Sequence, residues 1–157
     1  VSKESGQVND TVVAANIIKM WVRLHPACAS NAVWVANPTT FPQLAALTLG
    51  TGTAMTLVYA PDPTGRVFGM LLGRPLLLTE KVPVLGDQGN VFLADFSQYI
   101  VGLRREVIIQ KSMHVRWRTD ESGYRAILRV DGQGRWGKPV KPKNGETMSW
   151  AFTLESR

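Results

Sequence analysis

A chain of 157 residues with 45% hydrophobic content can bury about two-thirds of its unfolded surface, so its core requires neither a disulfide nor a metal. The single cysteine, Cys28, excludes an internal disulfide framework and is compatible with a reducing compartment. The net charge of +6 is unevenly placed: residues 1–103 hold six basic and six acidic side chains, while residues 104–157 hold twelve basic and six acidic.

Residues 1–9 are polar and read as an arm or linker, with Asn9 or Asp10 as the cap of a helix. Residues 11–24 place Asn16, Lys19 and Arg23 on one stripe. Val13, Ile17, Met20, Trp21 and Leu24 fall on the other, at helical spacing. His25-Pro26 stops the helix, since the residue before proline is pushed out of the α region. Residues 32–36 (AVWVA) form a short apolar run rich in β-branched and aromatic members, which predicts a buried strand. Asn37-Pro38 starts a second helix, with Phe41, Leu44, Ala45 and Leu47 inward and Gly50 at its end. Residues 49–70 are punctuated by Gly50, Gly52, Pro61, Pro63 and Gly65 and read as a long hairpin-like excursion.

Residues 73–99 (GRPLLLTEKVPVLGDQGNVFLADFSQY) predict a strand over 75–78, a glycine-rich turn and a strand over 91–94. Asp95 caps the aromatic segment that follows. Farther on, Arg104-Arg105-Glu106 reads as an exposed turn. Residues 113–118 alternate, with Met113, Val115 and Trp117 on a core face and His114, Arg116 and Arg118 outside. A third helix is predicted from Thr119 or Asp120 to Asp131, with Tyr124, Ile127 and Leu128 inward and Arg125 and Arg129 outward. Residues 133–145 form a basic Gly/Pro loop, and 148–154 alternate as a terminal strand. Helices and strands without a regular βαβ beat predict an α+β fold.

Catalytic chemistry finds no constellation. His25 and Cys28 lie three residues apart around Pro26, without a third group to orient the imidazole. Ser97 lies in DFSQY rather than a Gly-x-Ser-x-Gly elbow, and Asp120-Glu121 are explained by the dipole of a first helical turn. Gly50-Thr51-Gly52 lacks the further glycine of a dinucleotide loop and the lysine of a P-loop. Two histidines and one cysteine make no metal-ligand pattern. The expectation is therefore a non-enzyme without cofactor or metal. No apolar run approaches the ~20 residues of a membrane span, and no signal peptide is read, so a soluble protein is expected. Arg116, Arg118, Arg125 and Arg129 form a candidate surface for nonspecific, salt-dependent DNA contact, equally readable as a solvated face.

The heptad LADFSQY at residues 93–99 resembles the tailed-phage major capsid family with the Hong Kong 97-type fold. So do GRPLLLTEKVP at 73–83, MHVRWRTDESGYRAILRVDG at 113–132, the terminal strand, and SKESGQ ahead of the first helix. The resemblance runs in order over nearly the whole chain. It implies the C-terminal half of a capsid subunit: a linker over 1–9, an axial-domain-like mixed sheet flanked by helices over 10–132, and a C-terminal piece of the peripheral domain over 133–157. It implies that the N-terminal arm, extended hairpin and long spine helix of such subunits have no counterpart here.

The same resemblance implies pentamers and hexamers of an icosahedral virus or prophage shell enclosing DNA, assembled in the bacterial cytoplasm. It places Thr51, Gly52, Asp62 and Gly65, with Gly86, Asp87, Gly89 and Asn90, in loops near the symmetry axes. The fragment alone is expected to be monomeric or weakly associating. Two other readings stay open: a small basic nucleic-acid-binding domain, and the shell of an encapsulating nanocompartment.

Overall fold

The computed structural model describes residues 1–49, 56–65 and 68–156. The chain divides into two compact units, Val1–Gln98 with Trp136–Arg157, and Tyr99–Arg135. These boundaries differ from the expected division at 132/133.

The first unit is built on a mixed sheet. In chain order its elements are helix α1 (Ala14–Arg23), strand β1 (Val33–Ala36), helix α2 (Phe41–Ala45), and the short strands β2 (Thr48–Leu49), β3 (Thr56–Leu57), β4 (Tyr59–Ala60) and β5 (Gly69–Leu71). Strands β6 (Arg74–Leu78) and β7 (Val91–Ala94) follow. Strands β8 (Tyr99–Arg116) and β9 (Glu121–Gly134) make the second unit, and β10 (Ala151–Thr153) returns to the first. The main sheet has the order β10-β7-β1-β6-β5-β4, and β2 pairs with β3 separately. Strand β1 runs parallel to β6 and antiparallel to β7, so the two strands of residues 73–99 flank β1 instead of pairing with each other.

Register explains the core. Trp34 lies opposite Leu76 on one side and Leu93 on the other, and Leu93 lies opposite Phe152. Trp34, Leu76 and Leu93 are fully buried together with Ile17 and Met20 of α1 and Leu44 of α2. The apolar stripe expected of α1 thus meets the sheet. Its cap differs from the expected Asn9 or Asp10: the helix begins after Val13, whose N–H donates to Asn16 Oδ1 at 3.1 Å. Asn16, expected on the polar stripe, is consequently buried.

The helix ends at Arg23 ahead of His25-Pro26, and Pro26–Asn31 continues as a 3-10 turn. Asn37 does start the next helical segment, accepting from the Thr39 N–H at 3.0 Å while its amide donates to the Val82 carbonyl. Residues 1–9, read as an arm, are tied to this unit. The Val1 amino group donates to the Thr153 carbonyl at 2.7 Å, and Glu4 pairs with Lys19 at 2.7 Å.

The second unit is a long antiparallel ribbon of β8 and β9. It replaces the predicted third helix. Tyr124, Ile127 and Leu128 have helical spacing, but Tyr124, Ala126, Leu128 and Val130 also alternate with Arg125, Ile127, Arg129 and Asp131. Pairing with β8 selects period two, because a partner strand satisfies the backbone along the whole segment. Arg104-Arg105-Glu106, expected as a turn, lies within β8, where register shifts fall between Leu103 and Arg105 and between Arg105 and Ile108. Extra residues there make bulges and not a chain reversal. The reversal itself is the 3-10 turn Trp117–Thr119 with Asp120 at φ 50°.

Candidate subunit-contact and nucleic-acid surfaces

The contact loops expected from the sequence fare differently. Thr51 and Gly52 lie outside the described residues. Asp62 and Gly65 form a tight exposed turn: Asp62 Oδ1 accepts from the Thr64 N–H at 2.9 Å, and its carbonyl accepts from the Gly65 N–H at 3.2 Å. This is an Asx turn, in which the carboxylate substitutes for backbone and stiffens the tip.

The second loop is anchored from below. The Gly89 N–H donates to the Leu154 carbonyl at 2.9 Å, and the Asn37 N–H to the Asn90 carbonyl at 3.2 Å. Gly86 and Gly89 take φ of 102° and 89°, which only glycine adopts at little cost. Asp87 and Gln88 stand at the exposed tip. Asn90, expected among the contact residues, is fully buried and faces inward, so it belongs to the support of the loop.

Asp95 supports the chain where it leaves the first unit. Its carboxylate accepts from the Ser97 N–H at 3.0 Å, and its own N–H donates to the Trp150 carbonyl at 3.0 Å. The buried Cys28 thiol lies beside this carboxylate. Burial pushes the thiol up, with the adjacent Asp95 charge adding to the rise, to about 11. A thiol so far from ionising is a packed core group and not a nucleophile. His25 is turned to other work, its Nδ1 accepting from the Ala27 N–H and its ring meeting Trp136 edge-on at 5.0 Å.

The ribbon carries two unlike faces. On β9, Tyr124, Ala126, Leu128 and Val130 point one way, opposite Lys111, Ile109 and Leu103 on β8. Tyr124, Leu128, Val130, Leu103 and Ile109 are all exposed, so the ribbon's own two strands leave this face uncovered. The other face sets Arg125 opposite Gln110, to which it donates, and Arg129 directly opposite Arg105.

Trp117, expected in the core because it alternates with Met113 and Val115, is 76% exposed in the end turn. Alternation identifies a shared face, but a two-stranded ribbon has no second layer to bury it. Trp117 stacks on His114 at 6.5 Å between centroids instead. Arg116 is engaged by Glu121 at 2.5 Å, and Arg118 sits in the turn. By register Arg116 and Glu121 lie on the same face of the ribbon as Arg125 and Arg129, so of the four expected arginines only Arg118, in the turn, stands apart. Arg105 was missed, and its signal lay only in the cross-strand register.

Among the described residues, no group of three His, Cys, Asp or Glu could hold a metal ion, and no helix is long and apolar enough to cross a membrane.

The first unit is a mixed α+β sheet and the second a two-stranded ribbon. The comparisons place the chain in a family. The model of the phage capsid family matches residues 1–143, and the chain belongs to that family. A solved chain described as the capsid of an empty GTA particle computed with C5 symmetry has the same fold, with a TM-score of 0.63 and 16% identity. The match covers 91% of this chain and 42% of that chain, so this chain spans less than half the length of its structural neighbour. No curated protein matches it.

Proposed function

We propose that this chain is the scaffold-forming part of a major capsid subunit that self-assembles into an icosahedral shell, in pentamers and hexamers, within the host bacterial cytoplasm. The observation that carries the reading is the apolar face of the ribbon, in a chain of the phage capsid family. Two strands alone are marginal in water, and a face of Leu, Val, Ile and Tyr side chains left wet is a surface for assembly. The Asp62–Gly65 turn and the Asp87-Gln88 tip are the subunit-contact loops, each a stiffened excursion from a packed sheet. No step of this role requires a catalyst.

Electron microscopy of the full gene product after expression tests it. Closed shells or capsomers are expected; soluble product without either under any assembly condition overturns it. The 157-residue chain alone associates weakly and in a concentration-dependent manner. A tight, discrete oligomer at micromolar concentration in sedimentation would count against that part.

A further inference from the structure

We propose that the arginine face of the ribbon, Arg105, Arg125 and Arg129, is a docking surface for a nucleic-acid backbone, gripped without regard to sequence. This deepens the shell reading, and rests on it for the source of the ligand, but its geometry stands separately.

Every register shift between β8 and β9 places the extra residues on β8, so β9 alternates without interruption. Arg125, Ile127, Arg129 and Asp131 therefore share one face, opposite Gln110, Ile108, Arg105 and Gly102. Arg105 and Arg129 are a directly opposed like-charge pair, an arrangement that weakens a ladder where opposite charges would support it. Among the described residues none of the three arginines joins an ion pair. Of the carboxylates on this face, Asp131 accepts from the Gly132 N–H at 2.8 Å and Glu121 is engaged by Arg116. Arg125 gives one nitrogen to Gln110 and keeps further donors free.

Three guanidinium groups along one strand pair present forks that match phosphate oxygens, and a repeating anion relieves the repulsion between Arg105 and Arg129. Residues 99–135 hold eight basic and four acidic side chains, so most of the chain's net charge of +6 is concentrated on the ribbon. The opposite face is mostly apolar, with Lys111 beside Tyr124, and suited to protein, which leaves the arginine face for the polyanion.

Fluorescence anisotropy of the 157-residue chain with a short mixed-sequence duplex, over about 50 to 200 mM salt, tests the proposal. Binding independent of sequence and falling with salt is expected. Each lost phosphate contact lowers the log–log salt slope by about 0.9. The triple variant Arg105→Gln, Arg125→Gln, Arg129→Gln therefore loses about 2 to 3 units of slope and at least about tenfold in affinity. The lysine triple at the same positions keeps the charge and retains most of the slope.

A matched triple outside the ribbon, Lys138→Gln, Lys141→Gln, Lys143→Gln, keeps the arginine contribution. Circular dichroism confirms that each variant is folded. Equal loss in the two glutamine triples, absence of salt-dependent binding, or tighter binding of polyglutamate than of duplex would overturn the proposal. Shells that form in the microscope yet bind no duplex overturn this inference alone.

Discussion

Trp34 and Trp117 are the same side chain under opposite conditions. Trp34 lies in the middle of a six-stranded sheet, between Leu76 and Leu93, and is 0% exposed. Trp117 stands in the turn of a two-stranded ribbon and is 76% exposed. Trp34 sits in a continuous apolar run and Trp117 in an alternating one, and both patterns lead to an expectation of burial. What differs is the number of layers. The sheet has α1 and α2 to cover one face, and their residues Ile17, Met20 and Leu44 are fully buried against it. The ribbon's two strands offer a patterned face and no second layer of their own. A saturated core makes a stable unit, and an unsaturated amphipathic face makes an interacting one.

The comparison breaks most visibly at those two tryptophans. Trp34→Ala removes a large buried side chain from packed neighbours and should cost about 3–5 kcal/mol. Trp117→Ala removes a solvated ring and should change stability by less than about 0.5 kcal/mol. Thermal unfolding followed by circular dichroism reads both, and equal losses would mean that the ribbon is as tightly packed as the sheet.

The next effect concerns pH and belongs to the sheet unit alone. The Cys28 thiol has an ordinary value of 9.0 and is pushed up to about 11 in the fold. Folding therefore favours the protonated thiol: its contribution is fully present below pH 9 and is lost as pH rises through 11. A rise of that size corresponds to about 2–3 kcal/mol. Denaturant titrations at successive pH values should show wild type losing this stability where Cys28→Ala does not. Parallel curves for the two proteins would contradict the assignment.

Legibility in the sequence follows the same division. The strand at residues 33–36, the flanking strands at 74–78 and 91–94, and the terminal strand were readable, because buried apolar runs between turn residues have few alternatives. The Asp95 cap was readable for the same local reason. The ribbon was not. Tyr124, Ile127 and Leu128 satisfy helical spacing as well as strand alternation, and only pairing with β8 decides between them. Alternation around Trp117 implies a shared face, and that face is buried only where a second layer covers it. Asn90 was placed outside because asparagine beside glycine suggests a turn, yet the chain has already re-entered the core at Val91. The sequence places Arg125 and Arg129 together on a helix that the structure replaces with β9, and Arg105 stands beside them only through register across bulges that no local pattern announces.

The smallest effect tests whether the two regions also differ in tolerance of a single methyl group. In the sheet, a Cβ at Gly69 would run into the Tyr59 ring. That ring has little freedom to yield: its hydroxyl donates to the Phe68 carbonyl at 2.5 Å and its edge meets Phe41 at 5.6 Å. Gly69 also takes φ of 154°, outside the ordinary strand region for a residue with a side chain. Gly69→Ala should therefore cost about 1–3 kcal/mol, as overpacking does elsewhere. On the ribbon, a Cβ at Gly102 would meet nothing nearer than the Asp131 carbonyl at 3.8 Å, which is ordinary contact. Gly102→Ala should be neutral or slightly stabilising, by up to about 1 kcal/mol through reduced freedom of the unfolded chain. Melting temperatures of the two variants measured side by side decide it. A loss at Gly102 matching that at Gly69 would mean that the ribbon's polar face is already closely packed, and the contrast between a saturated sheet and an open ribbon would fail at its most local point.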